Sequence, residues 1–180
     1  MKRMLVMLII MASAVSVLSS LGNREAPPSE REQAVLTVRP GHEFALLRGT
    51  DLLTGDEVNA SVLTGSKITV ITIWATTCPA CIVKLPDLAV LEDELPEGVS
   101  IIGICLDGSQ NTARAAELMR RYGIAFMNLI PHSSMREVLT RNAQYIPATL
   151  FVDSSGRLLA GPVYGVRENQ WYLDQIASLL

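Results

Sequence analysis

The sequence predicts an α/β domain: a central mixed sheet flanked by helices on both faces. Three features carry this expectation. The runs "ITVITIW" (68–74) and "VSIIGICL" (99–106) are continuously apolar and rich in β-branched residues, as strands buried on both faces are. Each leads into a segment that reads as a helix. Near the C-terminus, "ATLFVD" and "RLLAGPVYG" flank the turn Ser154-Ser155-Gly156, which reads as an antiparallel hairpin added to the parallel strands. The chain has 180 residues, 49% of them hydrophobic and 18% charged, a globular composition sized for one domain plus a short extension. A domain of ~140 residues buries an adequate core without structural disulfides or metals.

The elements follow in order. Lys2 and Arg3 precede a segment without charge from Met4 to Gly22. This is the pattern of a secretory signal, with Ala12-Ser13-Ala14 as one cleavage site, and it is also about the ~20 residues that an uncleaved membrane anchor needs. Residues 1–22 are therefore expected to be a signal peptide or anchor, with the domain outside the cytoplasm in either case. Residues 23–37 contain Pro27-Pro28 among polar residues and read as a linker, leaving 38–180 as the domain. "HEFALLRG" and "DEVNASV" are expected to form a hairpin around "LLTGD". The helix from Cys81 to Leu95 carries Ile82, Leu85, Leu88, Leu91 and Leu95 on its apolar face and stops at Pro96 and Gly98. Thr112 to Tyr122 reads as a helix with Asn111 as N-cap and Gly123 just past its end. "AFMNLI" suggests a short strand, and Ser134-x-x-Glu137 a capping box opening a further helix. The last helix carries Trp171, Ile176 and Leu179.

Composition also excludes. The formal net charge is −3 and no basic cluster follows the first residues, so nucleic acid is not an expected partner. Three cysteines are too few for a disulfide framework.

The chemistry concentrates at "WATTCPAC" (74–81), where a buried strand hands over to a helix. Unpaired N–H groups and the helix dipole favour a thiolate at Cys78. Pro79 fits the first turn because its missing N–H has no intrahelical partner to lose. Cys81 returns to the same face three residues later. This predicts a division of labour in which Cys78 attacks a partner disulfide and Cys81 resolves the mixed disulfide. A static disulfide and a zinc site remain as alternatives. Zinc would need a second ligand pair, which Cys105, His42 and His132 do not form in sequence. Ile82 stands where a c-type haem motif needs histidine, and Ala75 where a peroxidatic cysteine has a threonine three residues before it.

"TVITIWATTCPACIVKLPDL" together with "YIPATLFVDSSGRL" resembles the thioredoxin superfamily, and within it the TlpA/ResA-like thiol–disulfide oxidoreductases, over roughly residues 38–180. The resemblance implies a thioredoxin-like fold with an N-terminal hairpin and a strand and helix inserted between Val99 and Gln144. It implies that Pro147 is a cis-proline facing the disulfide beside Ile146, that Pro86 kinks the active-site helix, and that Gly165 follows the last hairpin. It further implies that Trp74, Pro79 and Ala80 shape the site. Two departures stand out. Thr77 replaces a tryptophan that commonly covers the disulfide, and Lys84 replaces a glutamate. Thr72 also stands where ordinary thioredoxins bury an aspartate. Neither familiar carboxylate is present, so the site is expected to depend on solvent for proton transfer. Cys105 is expected in the core, His42 and His132 on surface loops, and "EDELPE" (92–97) at a solvated helix end.

The function expected is an extracytoplasmic protein disulfide reductase, anchored or secreted, with the Cys78–Cys81 pair in place of any cofactor or metal. By resemblance, its electrons come from a membrane thiol donor and pass to exported disulfide proteins, apocytochrome c among them. It is expected to act as a monomer. The alternative is a thioredoxin-fold chaperone binding Cu(I) through the two thiolates.

Overall fold

The computed structural model describes residues 47–142 and 145–180. The expected signal or anchor (1–22), the linker (23–37) and His42 lie outside the described residues. The described chain runs β1 (Arg48–Asp51), β2 (Glu57–Asn59), a 3-10 turn (Ala60–Gly65), β3 (Ile68–Trp74), α1 (Pro79–Glu94), β4 (Val99–Cys105), α2 (Thr112–Tyr122), β5 (Asn128–Pro131), α3 (Ser133–Asn142), β6 (Ala148–Asp153), β7 (Leu158–Tyr164) and α4 (Asn169–Leu179).

The seven strands form one mixed sheet in the order β2-β1-β5-β4-β3-β6-β7. β3 sits near its middle, parallel to β4 and antiparallel to β6, and all seven of its residues are buried. That is what the "ITVITIW" run predicts: both faces must be apolar because both are covered. Alternate residues divide the core. Ile68, Val70 and Trp74 pack with Leu85 and Leu88 of α1, Leu118 of α2 and Ile176 of α4. Ile71 and Ile73 face the other way, toward Met135 and Leu139 of α3. β5 arrives by way of α2, pairs parallel with β4, and joins the sheet to the N-terminal hairpin through β1.

Local signals held unevenly. Gly123 closes α2 in the left-handed region at φ 67°, with its N–H on Arg120 O, as a glycine past a helix end does. Asn111 is the N-cap residue of α2, as expected, but its side chain makes no cap bond; its Nδ2 donates to Asp107 Oδ2 at 3.3 Å. Glu137 pairs with Arg141 one turn on, so the expected capping box is not what starts α3, which begins at Ser133. "ASV" belongs to the 3-10 turn rather than to a strand: the Asn59 side chain accepts from Ser61 N at 2.9 Å and ends β2 there. Pro86 lies inside α1 and cannot donate to the Ile82 carbonyl.

Candidate active site: the Cys78–Cys81 disulfide

Cys78 is the N-cap of α1, with extended backbone angles, and Pro79 is its first helical residue. A disulfide joins Cys78 to Cys81, with the Cα atoms 5.2 Å apart. The Cys81 N–H points at Cys78 Sγ, 3.2 Å away. This is an N-cap bond in which sulfur replaces the usual oxygen acceptor. Exposure separates the two sulfurs. Cys78 is half-buried, whereas Cys81 is 2% exposed and packs in the core beneath α1.

Across the disulfide, the Ile146–Pro147 peptide is cis, as the resemblance implies. The Ile146 carbonyl lies 3.7 Å from Cys78 Sγ. Pro147 leads directly into β6, next to β3, so the sheet holds the loop against the start of α1. Gly165 braces it from behind, donating its N–H to the Pro147 carbonyl at 2.8 Å. A second cis bond, Gly161–Pro162, lies within β7 and has no counterpart in the expectations from sequence.

The remaining residues expected to shape the site fall into two groups. Thr77, Pro79 and Ala80 are exposed around the disulfide. Trp74 and Lys84 are each 2% exposed and lie below it, so they support the site rather than meet a partner. Trp74 Nε1 donates to Asn128 Oδ1 at 2.9 Å, and Asn128 Nδ2 donates to the Phe126 carbonyl. The Lys84 ammonium is drawn to Asp87 (3.2 Å) and Asn169 Oδ1 (2.9 Å), and lies 5.4 Å from the Tyr172 ring centroid. A buried cation needs such partners, and here they tie α1 to α4. Thr72 is buried opposite Thr149 of β6, whose hydroxyl lies 3.4 Å from that of Tyr172.

Sequence reasoning missed Asp107. Parallel pairing sets Trp74 opposite Cys105, and two residues further on the chains meet. The Asp107 carboxylate accepts from Thr76 N (2.8 Å), Thr76 Oγ1 (2.7 Å) and Thr77 Oγ1 (3.3 Å). A carboxylate therefore stands beside the turn, at neither of the two familiar positions, which hold Thr72 and Lys84. Burial works against its ionisation, but the Thr76 donors outweigh burial and hold the Asp107 pKa below the usual carboxylate range. Cys105 is wholly buried, as expected, and its Sγ lies 3.4 Å from Asp107 Oδ1. Burial, then the Asp107 charge, push that thiol far above its ordinary pKa. Glu92 is not simply solvated: it accepts from Phe126 N at 3.1 Å, and burial raises its pKa. His132 is half-buried and lies 3.2 Å from Glu57. Among the described residues, no group of three or more His, Cys, Asp or Glu is arranged to hold a metal ion, and no helix is long and apolar enough to cross a membrane.

This fold and this site define a class, the thioredoxin-fold protein with a Cys-x-x-Cys disulfide at a strand–helix junction, and its chemistry is that of a thiol–disulfide oxidoreductase. Residues 40–161 match the AhpC/TSA family, and the chain belongs to that family. No curated protein sequence matches significantly. Solved structures do. A secreted Mycobacterium tuberculosis disulfide oxidoreductase homologous to DsbE aligns at TM-score 0.58 and 21% identity, over 74% of this chain and 96% of that one. A putative thiol:disulfide interchange protein DsbE from Chlorobium tepidum aligns at 0.66 and 19%, over 79% and 99%. A secreted thiol-disulfide isomerase from Corynebacterium glutamicum aligns at 0.62 and 21%, over 74% and 82%. These likenesses establish the thioredoxin-like fold.

Proposed function

We propose that this chain is an extracytoplasmic protein disulfide reductase. One observation carries the reading: a half-exposed Cys78 at the N-cap of α1, bonded to a buried Cys81 and facing the Ile146–Pro147 loop. In the reduced form, the Cys78 thiolate gains from the Cys81 N–H and the positive end of α1. It attacks one sulfur of the partner's disulfide, that S–S bond breaks, and the first partner thiolate leaves. Cys81, shielded from other partners by burial, then attacks Cys78 Sγ. The second partner thiolate leaves and the Cys78–Cys81 disulfide forms. Two electrons pass from the pair to the partner; the Cys81 thiol releases its proton to water as it attacks, and the partner's thiolates take protons from water. A dithiol donor supplies the two electrons for the next cycle, and the resemblance favours one in the membrane.

The basic residues and apolar segment at 1–22 support export, and two of the structural neighbours are described as secreted. Exported proteins with disulfides, including apocytochromes c, are the substrate class that fits. The test is insulin reduction by wild type and by Cys78→Ser, with copper assayed in the same preparations. Turnover in wild type and loss in Cys78→Ser is the expected result. Turnover that survives Cys78→Ser would overturn the reading, and stoichiometric copper without turnover would favour the metal chaperone.

A further inference from the structure

We infer that Asp107 is a positioning residue for this reaction: its carboxylate holds the turn that carries Cys78, and its charge sets how readily Cys78 ionises. The inference rests on the oxidoreductase reading. Five donors converge on the one carboxylate: Thr76 N, Thr76 Oγ1, Thr77 Oγ1, Cys105 Sγ and Asn111 Nδ2. Three of them belong to the two residues directly before Cys78, and the Cys78 N–H closes the same turn on the Ala75 carbonyl at 3.2 Å. Thr76 therefore has a function the sequence alone did not give it. Thr77 has one too: it exchanges aromatic cover for a hydroxyl that reaches this anion.

A carboxylate with both oxygens engaged by donors is a poor proton carrier. Its influence on Cys78 is through position and charge. The charge opposes the thiolate, while the Cys81 N–H and α1 favour it. Among the described residues, α1 and the segments beside it carry further ionisable groups. Cys81 and Cys105 are buried, and Lys84 is engaged by Asp87. Tyr145 of the Ile146–Pro147 loop is exposed, as are Arg167 and Glu168 after β7. Among the described residues, Asp107 is the ionised group bonded to the turn itself.

The test is the pH profile of Cys78 alkylation by iodoacetamide in the reduced protein, quantified at Cys78 by mass spectrometry. Asp107→Asn keeps a carbonyl acceptor and removes the charge. The expected result is a midpoint lower by about one pH unit, which is about tenfold more thiolate below the midpoint. Thr76→Val keeps the charge and loosens the turn, so it should leave the midpoint in place and lower kcat/KM for insulin. A purely structural Asp107 would not separate these two readouts. An unchanged midpoint in folded Asp107→Asn overturns the inference, and Asp107→Ser serves as a second neutral variant should the first not fold. The alkylation profile needs no partner protein. Absence of insulin turnover in wild type would thus count against the oxidoreductase reading, and an unmoved midpoint against Asp107 alone.

Discussion

Replacing Gly103 by alanine should unseat the support under the active site. Gly103 lies in β4 between β3 and β5, and its lack of a side chain lets Asn128 reach across the strand to the Trp74 indole. A Cβ at residue 103 would fall on Asn128 Oδ1 and within 2.6 Å of its Cγ. Asn128 is 1% exposed, so the amide cannot swing into solvent without disturbing the core. Two buried hydrogen bonds are then lost, those of Asn128 with Trp74 and with Phe126. Leaving a buried polar group unpaired costs about 1–3 kcal/mol, and overpacking adds about 1–3 kcal/mol. The sum, about 2–6 kcal/mol, is a large part of the roughly 5–15 kcal/mol that stabilises a domain. Urea unfolding should show the midpoint falling by ~2 M, given a slope of about 1–3 kcal/mol per molar. The double variant Gly103→Ala with Asn128→Ala identifies the cause. If the clash is responsible, removing the amide adds little further loss, and the two changes are strongly non-additive. A midpoint within experimental error of wild type, or strict additivity, would refute the reasoning.

Three further outcomes are expected. In the folded, reduced protein, a thiol reagent should modify Cys78 quickly and leave Cys105 untouched until denaturant is added, since Cys105 is fully buried and its thiol is strongly disfavoured from ionising; prompt labelling of Cys105 would contradict this. Glu92→Gln should be more stable than wild type at pH 7. The folded-state pKa of Glu92 is raised, so its charge disfavours the folded state at neutral pH, and wild type regains that stability as pH falls through the folded pKa toward the unfolded value; urea midpoints at pH 7 and pH 4 should converge, and a constant gap would argue against it. Asn169→Ala removes an acceptor from buried Lys84 and the bond from Asn169 Nδ2 to the Asp87 carbonyl, so it should destabilise by about 1–3 kcal/mol in chemical unfolding; no loss would mean that Asp87 alone satisfies the ammonium.

What could be read from the sequence was local. The buried, largely apolar β3, its handover to α1, Cys78 as cap and Pro79 as first helical residue all follow from neighbours along the chain. Gly123 is the same kind of signal. The cis state of the Ile146–Pro147 bond came from resemblance, because no local pattern distinguishes it. Asp107 was not legible, being about thirty residues from Thr76 until the parallel register of β3 and β4 brings them together. One clue was available: an aspartate just past the end of a buried parallel strand lies at the carboxyl ends of the strands, where α/β proteins build their sites. The capping bonds differ for a similar reason. Asn111 holds the N-cap position and Glu137 has the right residue type, but their side chains pair with Asp107 and Arg141. Lys84 reads from sequence as a site residue in place of a glutamate; its burial was not legible, because α4, distant in sequence, supplies the Asn169 and Tyr172 that cover it.

The central claim is that Cys78 attacks and Cys81 resolves. Incubating reduced Cys81→Ser and reduced Cys78→Ser with a disulfide-bonded protein, then analysing adducts by mass spectrometry, tests it most directly. The account predicts a stable mixed disulfide at Cys78 in Cys81→Ser and none at Cys81 in Cys78→Ser, whose remaining sulfur is buried. An adduct at Cys81, or no adduct in either variant, would contradict it.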